Sequence, residues 1–364
     1  MVFPGPVYEN APLSSKTTLC VGGPARYLAE VETPQQLGDW LDFADQRQLP
    51  IFILGGGSNL VVADSGFPGL VLQMCNTQLR RHRVDDVVEV TLGAGLVWDD
   101  VVDWASSRGL AGVTCMSGIP GHIGAAPIQN IGAYGQELAD TLVGLDAVEL
   151  SSGKLRRFDA EACGFGYRHS HFKGALAGQY AVVSVTLSLT PNGVAPLTYR
   201  DLDSHFSGRS SPPSLQLVRE AVISIRRQKS MVLDPNDPNS RSAGSFFVNP
   251  IIPESLLPEV ERRVVRTLGA DVELPRWPSP NNQVKLPAAW LIERAGFSKG
   301  HLYRGAGLSQ HHCLALINRG HASATDILEL ALAVKAAVYD AFGVTLVPEP
   351  RPLGFRDEDI SKLY

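Results

Sequence analysis

Ser117-Gly118-Ile119-Pro120-Gly121-His122-Ile123-Gly124-Ala125-Ala126-Pro127-Ile128-Gln129-Asn130-Ile131-Gly132-Ala133-Tyr134-Gly135 is the stretch on which the reading of this chain turns. Glycine at this density requires either turns with positive φ or close approach of the main chain to something else. Apolar side chains and the amides Gln129 and Asn130 lie between the glycines. Such a mixture suits a flat, partly apolar ligand, hydrogen-bonded at its edge, with phosphates nearby. An irregular core loop would have the same composition, so the segment alone leaves both readings open.

A second glycine run lies upstream. Ile51 to Leu54 reads as a short buried strand, and it ends at Gly55-Gly56-Gly57-Ser58-Asn59. Glycines after a strand expose N–H groups that can form a nest around pyrophosphate oxygens. The spacing is not that of a dinucleotide-binding fingerprint, and no Lys-Ser/Thr pair makes it a P-loop. A tight strand connection explains the run equally well.

Around these segments, helical and strand patterns mix without a regular βαβ series, which predicts an α+β fold. Thr33 and Pro34 start a helix over 34–48. Val97, Val101, Val102, Trp104 and Ala105 suit a second helix, ended by Gly109. Strands are expected at 87–92, 143–150 and 180–189. Residues 190–215 are rich in Pro, Ser, Gly and Asp and read as a boundary or long loop. A helix around 214–229 carries Arg219, Arg226, Arg227 and Lys229. The clearest helix starts at the capping pair Ser323 and Asp326, presents Ile327, Leu330, Ala331, Val334, Val338 and Phe342 on one face, and closes at Gly343. Residues 1–16 read as an arm with little structure.

A chain of 364 residues predicts two or three domains. The net charge of −5 gives no general attraction to nucleic acid or anionic membrane, so a polyanionic ligand needs local basic groups. The five cysteines are scattered without a CxxC pair, which suggests neither disulfides nor a zinc site and fits a reducing cytoplasm. His169-Ser170-His171 lacks an acidic partner, and His311-His312 would point to opposite faces of a strand, so no metal is expected. Met1 to Pro12 lacks the basic start and apolar run of a signal peptide. Apolar runs such as Ala181 to Leu189 are strand-length, so membrane insertion is not expected.

The pairing of Leu54-Gly55-Gly56-Gly57-Ser58-Asn59 with the segment from Ile119 to Glu137 resembles the FAD-binding domain of the vanillyl-alcohol-oxidase type. More narrowly, it is similar to the UDP-N-acetylenolpyruvoylglucosamine reductase family. Gly164-Phe165-Gly166-Tyr167-Arg168, Ser242-Ala243-Gly244-Ser245-Phe246-Phe247-Val248-Asn249-Pro250 and Leu346-Val347-Pro348-Glu349-Pro350-Arg351 fit that family in order. The likeness runs from about Lys16 to Gly354.

The resemblance implies a two-lobed FAD-binding domain at 17–204, with lobes about 17–75 and 76–204. It implies a smaller substrate-binding domain at 205–305 and a C-terminal segment, 306–364, returning Glu349 to the active site. NADPH would reduce FAD, and flavin N5 would pass a hydride to C3 of the enolpyruvyl UDP-sugar. FAD contacts are expected from Gly55, Gly56, Gly57, Ser58, Asn59, Ile119, Pro120, Gly121, Gly124, Gln129, Asn130 and Gly132. Substrate contacts are expected from Tyr199, Arg226, Lys229 and Asn249, with Tyr199 on a loop found in one subclass of the family.

Arg168 matches the family's catalytic arginine, Glu349 its glutamate and Ser245 the proton donor to C2. Hydride addition leaves charge on C2 and the adjacent carboxylate, which a guanidinium fork can bind at two points. Glu349 as a hydrogen-bond donor would need a raised pKa. A serine hydroxyl is a weak acid and serves only against a strongly basic centre, with Lys229 a candidate support. The flavin is expected between the domains that supply Arg168 and Ser245, and a monomer would suffice. His312 departs from the family, where glutamine is common. A flavin oxidase of the same fold, with His122 as a candidate covalent link, and an inactive nucleotide-sugar binder are the rival readings.

Overall fold

In the computed structural model, which describes residues 2–364, the expected signals set the helix ends. Helix Pro34–Asp45 begins with a capping box in which Thr33 accepts from Gln36 N and the Gln36 side chain answers the Thr33 N–H. Helix Ala324–Phe342 has the same device at Ser323 and Asp326, and Gly343 closes it in the left-handed region at φ 72°.

The chain divides into two compact units. The first holds Met1–Ala11, Ala25–Gly57 and Pro68–Val232; the second holds Pro12–Pro24, Ser58–Phe67 and Leu233–Tyr364. This division differs from the expected boundaries near 204 and 305. Helix Leu215–Gln228 packs in the first unit through Val218, Ala221 and Val222, whereas two short N-terminal segments complete the second. Long-range packing of a few apolar residues decides this, and no local composition marks it.

One sheet of the first unit has the order Tyr8–Pro12, Pro24–Val31, Phe67–Met74, Ile51–Leu54, with the last pair parallel. Tyr8–Pro12, expected to be part of an unstructured arm, is therefore an edge strand; Met1 of that arm lies outside the described residues. Only Ala11 in the strand is buried, so backbone pairing, not apolar alternation, holds it. Tyr27, Trp40, Phe43, Leu70 and Leu72 form this sheet's core with helix Pro34–Asp45.

The second sheet of this unit is antiparallel, in the order Leu155–Asp159, Leu142–Glu149, Tyr180–Pro191, Val87–Gly93, Leu79–Val84. Helix Trp98–Ser106 covers one face with Trp98, Val101 and Val102, against Leu145, Val185 and Leu187. The stretch expected as a loop, 190–215, contains helix Arg200–Phe206, whose Leu202 and Phe206 pack on Val218 and Val222.

In the second unit, helix Ala324–Phe342 runs through a core of Phe246, Phe247, Leu291, Val264 and Leu346. Strand Arg351–Leu353 pairs in parallel with Leu60–Val62. The Asp64 carboxylate accepts from Ala324 N at 2.7 Å, Thr325 N at 3.0 Å and Thr325 Oγ1 at 2.7 Å, which places an anion on the helix N-terminus. Among the described residues no helix is long and apolar enough to cross a membrane.

Candidate active site

The two glycine segments meet in the first unit. A Cβ added to Gly56 would lie 2.8 Å from Gly121 Cα, and one on Gly55 would lie 3.2 Å from Ala125 Cβ. Glycine is needed at Gly56 because two backbones cross there without room for a side chain. Behind this crossing, Trp98 N donates to Gly121 O and Gly124 N to Ala94 O, both at 2.9 Å. Of the expected cofactor residues, Gly55, Gly56, Gly57, Ile119, Pro120, Gly121, Gly124, Gln129, Asn130 and Gly132 fall in this unit, while Ser58 and Asn59 fall in the second.

Only two buried side-chain nitrogens or oxygens among the described residues lack a hydrogen-bond partner, His122 Nδ1 and Arg226 Nε. Both border the glycine segments. A Cβ on Gly56 would meet the His122 ring at 3.1 Å, and one on Gly118 would meet Arg226 Nε at 3.3 Å. Burial pulls the His122 pKa down, against a hydrogen bond with the Met74 backbone. Burial also lowers that of Arg226, and Arg168 adds to the effect, against Tyr134 and Asp99. Unanswered buried polar atoms beside a glycine cradle are what a bound group with hydrogen-bonding edges would satisfy, so these residues fit a cofactor of the expected kind.

Asn130 is otherwise engaged. It sits in the left-handed region at φ 49°. Its Nδ2 donates to Glu137 Oε2 at 2.8 Å and Gly166 O at 3.2 Å, and its Oδ1 accepts from Ala139 N at 2.9 Å. The side chain ties its own segment to Glu137–Ala139 and Gly166. Arg168 is also left-handed, at φ 52°, in a turn closed by reciprocal hydrogen bonds between Gly166 and His169. Its guanidinium donates to Gly132 O at 2.5 Å and Asn130 O at 3.4 Å. A half-buried cation is thereby tethered to the glycine segment through a backbone conformation that costs a non-glycine residue about 1 kcal/mol.

Tyr199, Arg226 and Lys229 gather with three residues that sequence reasoning missed, Tyr134, Asp99 and Asp201. The exposed Tyr199 ring stands edge-on to Tyr134 with centroids 5.2 Å apart. Lys229 Nζ lies 5.9 Å from the Tyr134 ring centre and donates to Asp201 Oδ2 at 2.6 Å. Burial alone would lower the Lys229 pKa, but the Asp201 hydrogen bond together with the charges of Tyr134, Asp201 and Tyr199 outweighs it and the net shift is upward. Arg226 donates to Gly118 O at 3.2 Å and Met231 O at 2.8 Å. Arg219 clasps Asp99 and Asp103, and Asp99 also accepts from Gly118 N at 2.6 Å. No motif marks Tyr134, Asp99 or Asp201; the left-handed φ of 49° at Tyr134 is invisible in sequence.

The second unit brings Ser245 and Glu349 together. Phe246 O accepts from Glu349 N at 2.8 Å, Phe247 bridges Pro348, and Val248 N donates to Val347 O at 3.1 Å. The backbone pairing therefore sets Glu349 beside the residue after Ser245, and both side chains are half-buried. Asn59 Nδ2 donates to Glu349 O at 3.3 Å, and Asn59 O accepts from Arg351 N at 3.0 Å. Asn249 Oδ1 accepts from Ala288 N at 3.0 Å, serving the start of helix Ala288–Arg294. His311 and His312 lie in a turn after strand Ala306–Leu308, not on a strand. Among the described residues no group of three His, Cys, Asp or Glu side chains could hold a metal ion.

Residues 25–159 match the model of an FAD binding domain, and residues 235–353 match that of the UDP-N-acetylenolpyruvoylglucosamine reductase C-terminal domain. The chain is 45% identical over 350 residues to UDP-N-acetylenolpyruvoylglucosamine reductase of Thermobifida fusca, covering 95% of this chain and 98% of the relative. With the reductase of Streptomyces coelicolor the identity is 43%, over 96% and 91% of the two chains. The crystal structure of UDP-N-acetylenolpyruvylglucosamine reductase from Thermus caldophilus is 25% identical, with a TM-score of 0.63 over 96% of this chain and 98% of that one. The protein belongs to the UDP-N-acetylenolpyruvoylglucosamine reductase family of oxidoreductases.

Proposed function

We propose that the protein reduces UDP-N-acetylenolpyruvoylglucosamine to UDP-N-acetylmuramate, a step in peptidoglycan precursor synthesis, with FAD as cofactor and NADPH as reductant. The observation that carries this reading is the placement of both unanswered buried polar atoms, His122 Nδ1 and Arg226 Nε, on the glycine cradle. Relatives bearing the reductase name support the choice of substrate.

The backbone N–H groups of 55–57, 119, 121 and 122 would hold the FAD, with the pyrophosphate against the glycines. When bound, FAD supplies the hydride for C3 of the substrate, regained from NADPH. This chain's own residues manage the charge and the proton at C2. Arg168, tethered to Gly132 O and Asn130 O, presents its fork to the substrate carboxylate and neutralises the charge that develops there. Glu349 assists at the same carboxylate by hydrogen bonding. The Ser245 hydroxyl gives its proton to C2 and regains one from solvent, so one hydride and one proton are added across the double bond. Arg226 and Lys229 supply the local positive charge that a UDP pyrophosphate needs in a chain of net charge −5. Tyr199 covers the sugar nucleotide. The reading requires Arg168 and the Ser245–Glu349 pair to meet around one substrate. It implies a cytoplasmic enzyme for which a monomer suffices.

An absorbance spectrum of purified protein, titrated with NADPH and then with the enolpyruvyl sugar, tests the reading: bleaching, then recovery without oxygen, is expected. In Ser245→Ala, flavin reduction by NADPH should stay near normal while transfer to substrate falls at least about a hundredfold. Equal slowing of both half-reactions would remove Ser245 from the proton step.

A further inference from the structure

Strand Leu79–Val84 is the terminal strand of the antiparallel sheet in the first unit, with the sequence Leu-Arg-Arg-His-Arg-Val. Its pairing sets Arg81 opposite Val90 and Arg83 opposite Val88, so the two arginines share a face. Beside this strand lies a cavity of about 290 Å³ lined by Arg81, His82, Arg83, Val88, Arg108 and Leu110. None of these residues comes from the glycine segments or from the Arg168, Tyr199 and Lys229 groups.

Three arginines thus contribute to the wall of one open, largely apolar cavity. His82 has a carboxylate, Glu89, at 3.3 Å. Among the described residues Arg81, Arg83 and Arg108 have no carboxylate partner. Arg83 Nε donates to Asp85 O at 3.1 Å, and Arg108 donates to Trp104 O at 3.2 Å while lying 5.0 Å from the Trp104 ring centre. These contacts hold the side chains without cancelling their charge. Like charges close together on a surface repel; water and salt screen this in part, and a bound anion offsets it further. In a chain of net charge −5, such a cluster is a local exception to the overall field.

We propose that this cavity is a binding site for a small polyanion, a molecule carrying two or more phosphate or carboxylate groups. Guanidinium forks match both groups in geometry. The volume exceeds that of one phosphate and stands at the lower end of small-molecule pockets, roughly 300–1,000 Å³. Val88 and Leu110 supply its apolar wall.

Calorimetric titration of the full chain at low ionic strength with inorganic tripolyphosphate, and separately with citrate, tests the site. At least one anion should bind to the wild type and to Lys229→Ala. Binding should weaken roughly tenfold in Arg81→Ala/Arg83→Ala and to a similar degree in Arg108→Ala. Binding of tripolyphosphate alone identifies a phosphate ligand, and of citrate alone a carboxylate one. Both arginines of the double variant are exposed strand residues, so its thermal midpoint and NADPH turnover should match the wild type. Absence of binding by either anion at millimolar concentration, or affinity unchanged in the arginine variants, overturns the proposal. The readout is binding, not turnover, so its failure leaves the reductase reading intact.

Discussion

Asp201→Asn should tighten substrate binding. Lys229 is assigned to the substrate pyrophosphate, yet Asp201 holds its ammonium at 2.6 Å. A pyrophosphate can engage Lys229 only by displacing that carboxylate. The pair is 39% and 35% exposed, which puts it among ion pairs worth about 0.2–1 kcal/mol. Asparagine keeps the shape and removes the competing charge. If the full 1 kcal/mol is returned to binding, KM for the enolpyruvyl sugar falls up to about fivefold. The contact is lost equally in the bound and reacting states, so kcat should not move. Steady-state NADPH oxidation measured against substrate concentration, at low and high salt, reads both quantities. The gain should shrink at high salt, where the exposed pair is screened. A rise in KM would refute the argument, because Asp201 would then be orienting Lys229 rather than withholding it.

Gly56→Ala should lower the flavin-to-protein ratio and cost roughly 1–3 kcal/mol, because the new methyl would sit 2.8 Å from Gly121 Cα; undiminished flavin content would contradict the cradle. Gly38→Ala, which meets nothing within 4 Å inside helix Pro34–Asp45, should instead raise the thermal midpoint, by about 0.5–1 kcal/mol of stability. Burial alone would raise the Asp99 pKa, but hydrogen bonds from Arg219 and Gly118 N hold it below 3.8. A depressed folded pKa means stability that is present above pH 3.8 and lost as pH falls through the folded value. The midpoint gap between wild type and Asp99→Asn should therefore be open at pH 7, at about 1–3 kcal/mol, and close in acid; a pH-independent gap would count against it. Cys20 is exposed, whereas burial pushes Cys115, Cys163 and Cys313 up to about 12. A thiol reagent should label Cys20 rapidly and those three only after unfolding, with rapid labelling of any of the three as the contrary result.

Helix ends were readable because their signals are local. Thr33 with Gln36, Ser323 with Asp326, and Gly343 each act within one turn. The glycine segments were readable for a related reason, since a missing side chain is itself the signal. Asp64 was not, because its partners Ala324 and Thr325 lie at the other end of the chain. Tyr8–Pro12 hid because an edge strand held by backbone pairing needs no apolar alternation. Sequence also could not say whether an amide serves a ligand or the scaffold. The Asn130 side chain turns inward to Glu137, Gly166 and Ala139, and Asn249 serves the end of a helix. Tyr134 and Asp201 join the basic cluster only through packing between helices and loops, which leaves no periodic trace.

The polypeptide passes from one unit to the other at Ala11, Pro24, Gly57, Phe67 and Val232. Leu19, Val21 and Val61 belong to the core that Leu330 and Phe342 complete. During translation those early apolar residues leave the ribosome while their partners are still unmade. At roughly 5–20 residues per second, the delay runs to tens of seconds. The nascent chain must keep them from aggregating for that long, and a fragment beginning at Leu233 would never receive them. The second unit therefore cannot be expressed whole as one continuous C-terminal cassette.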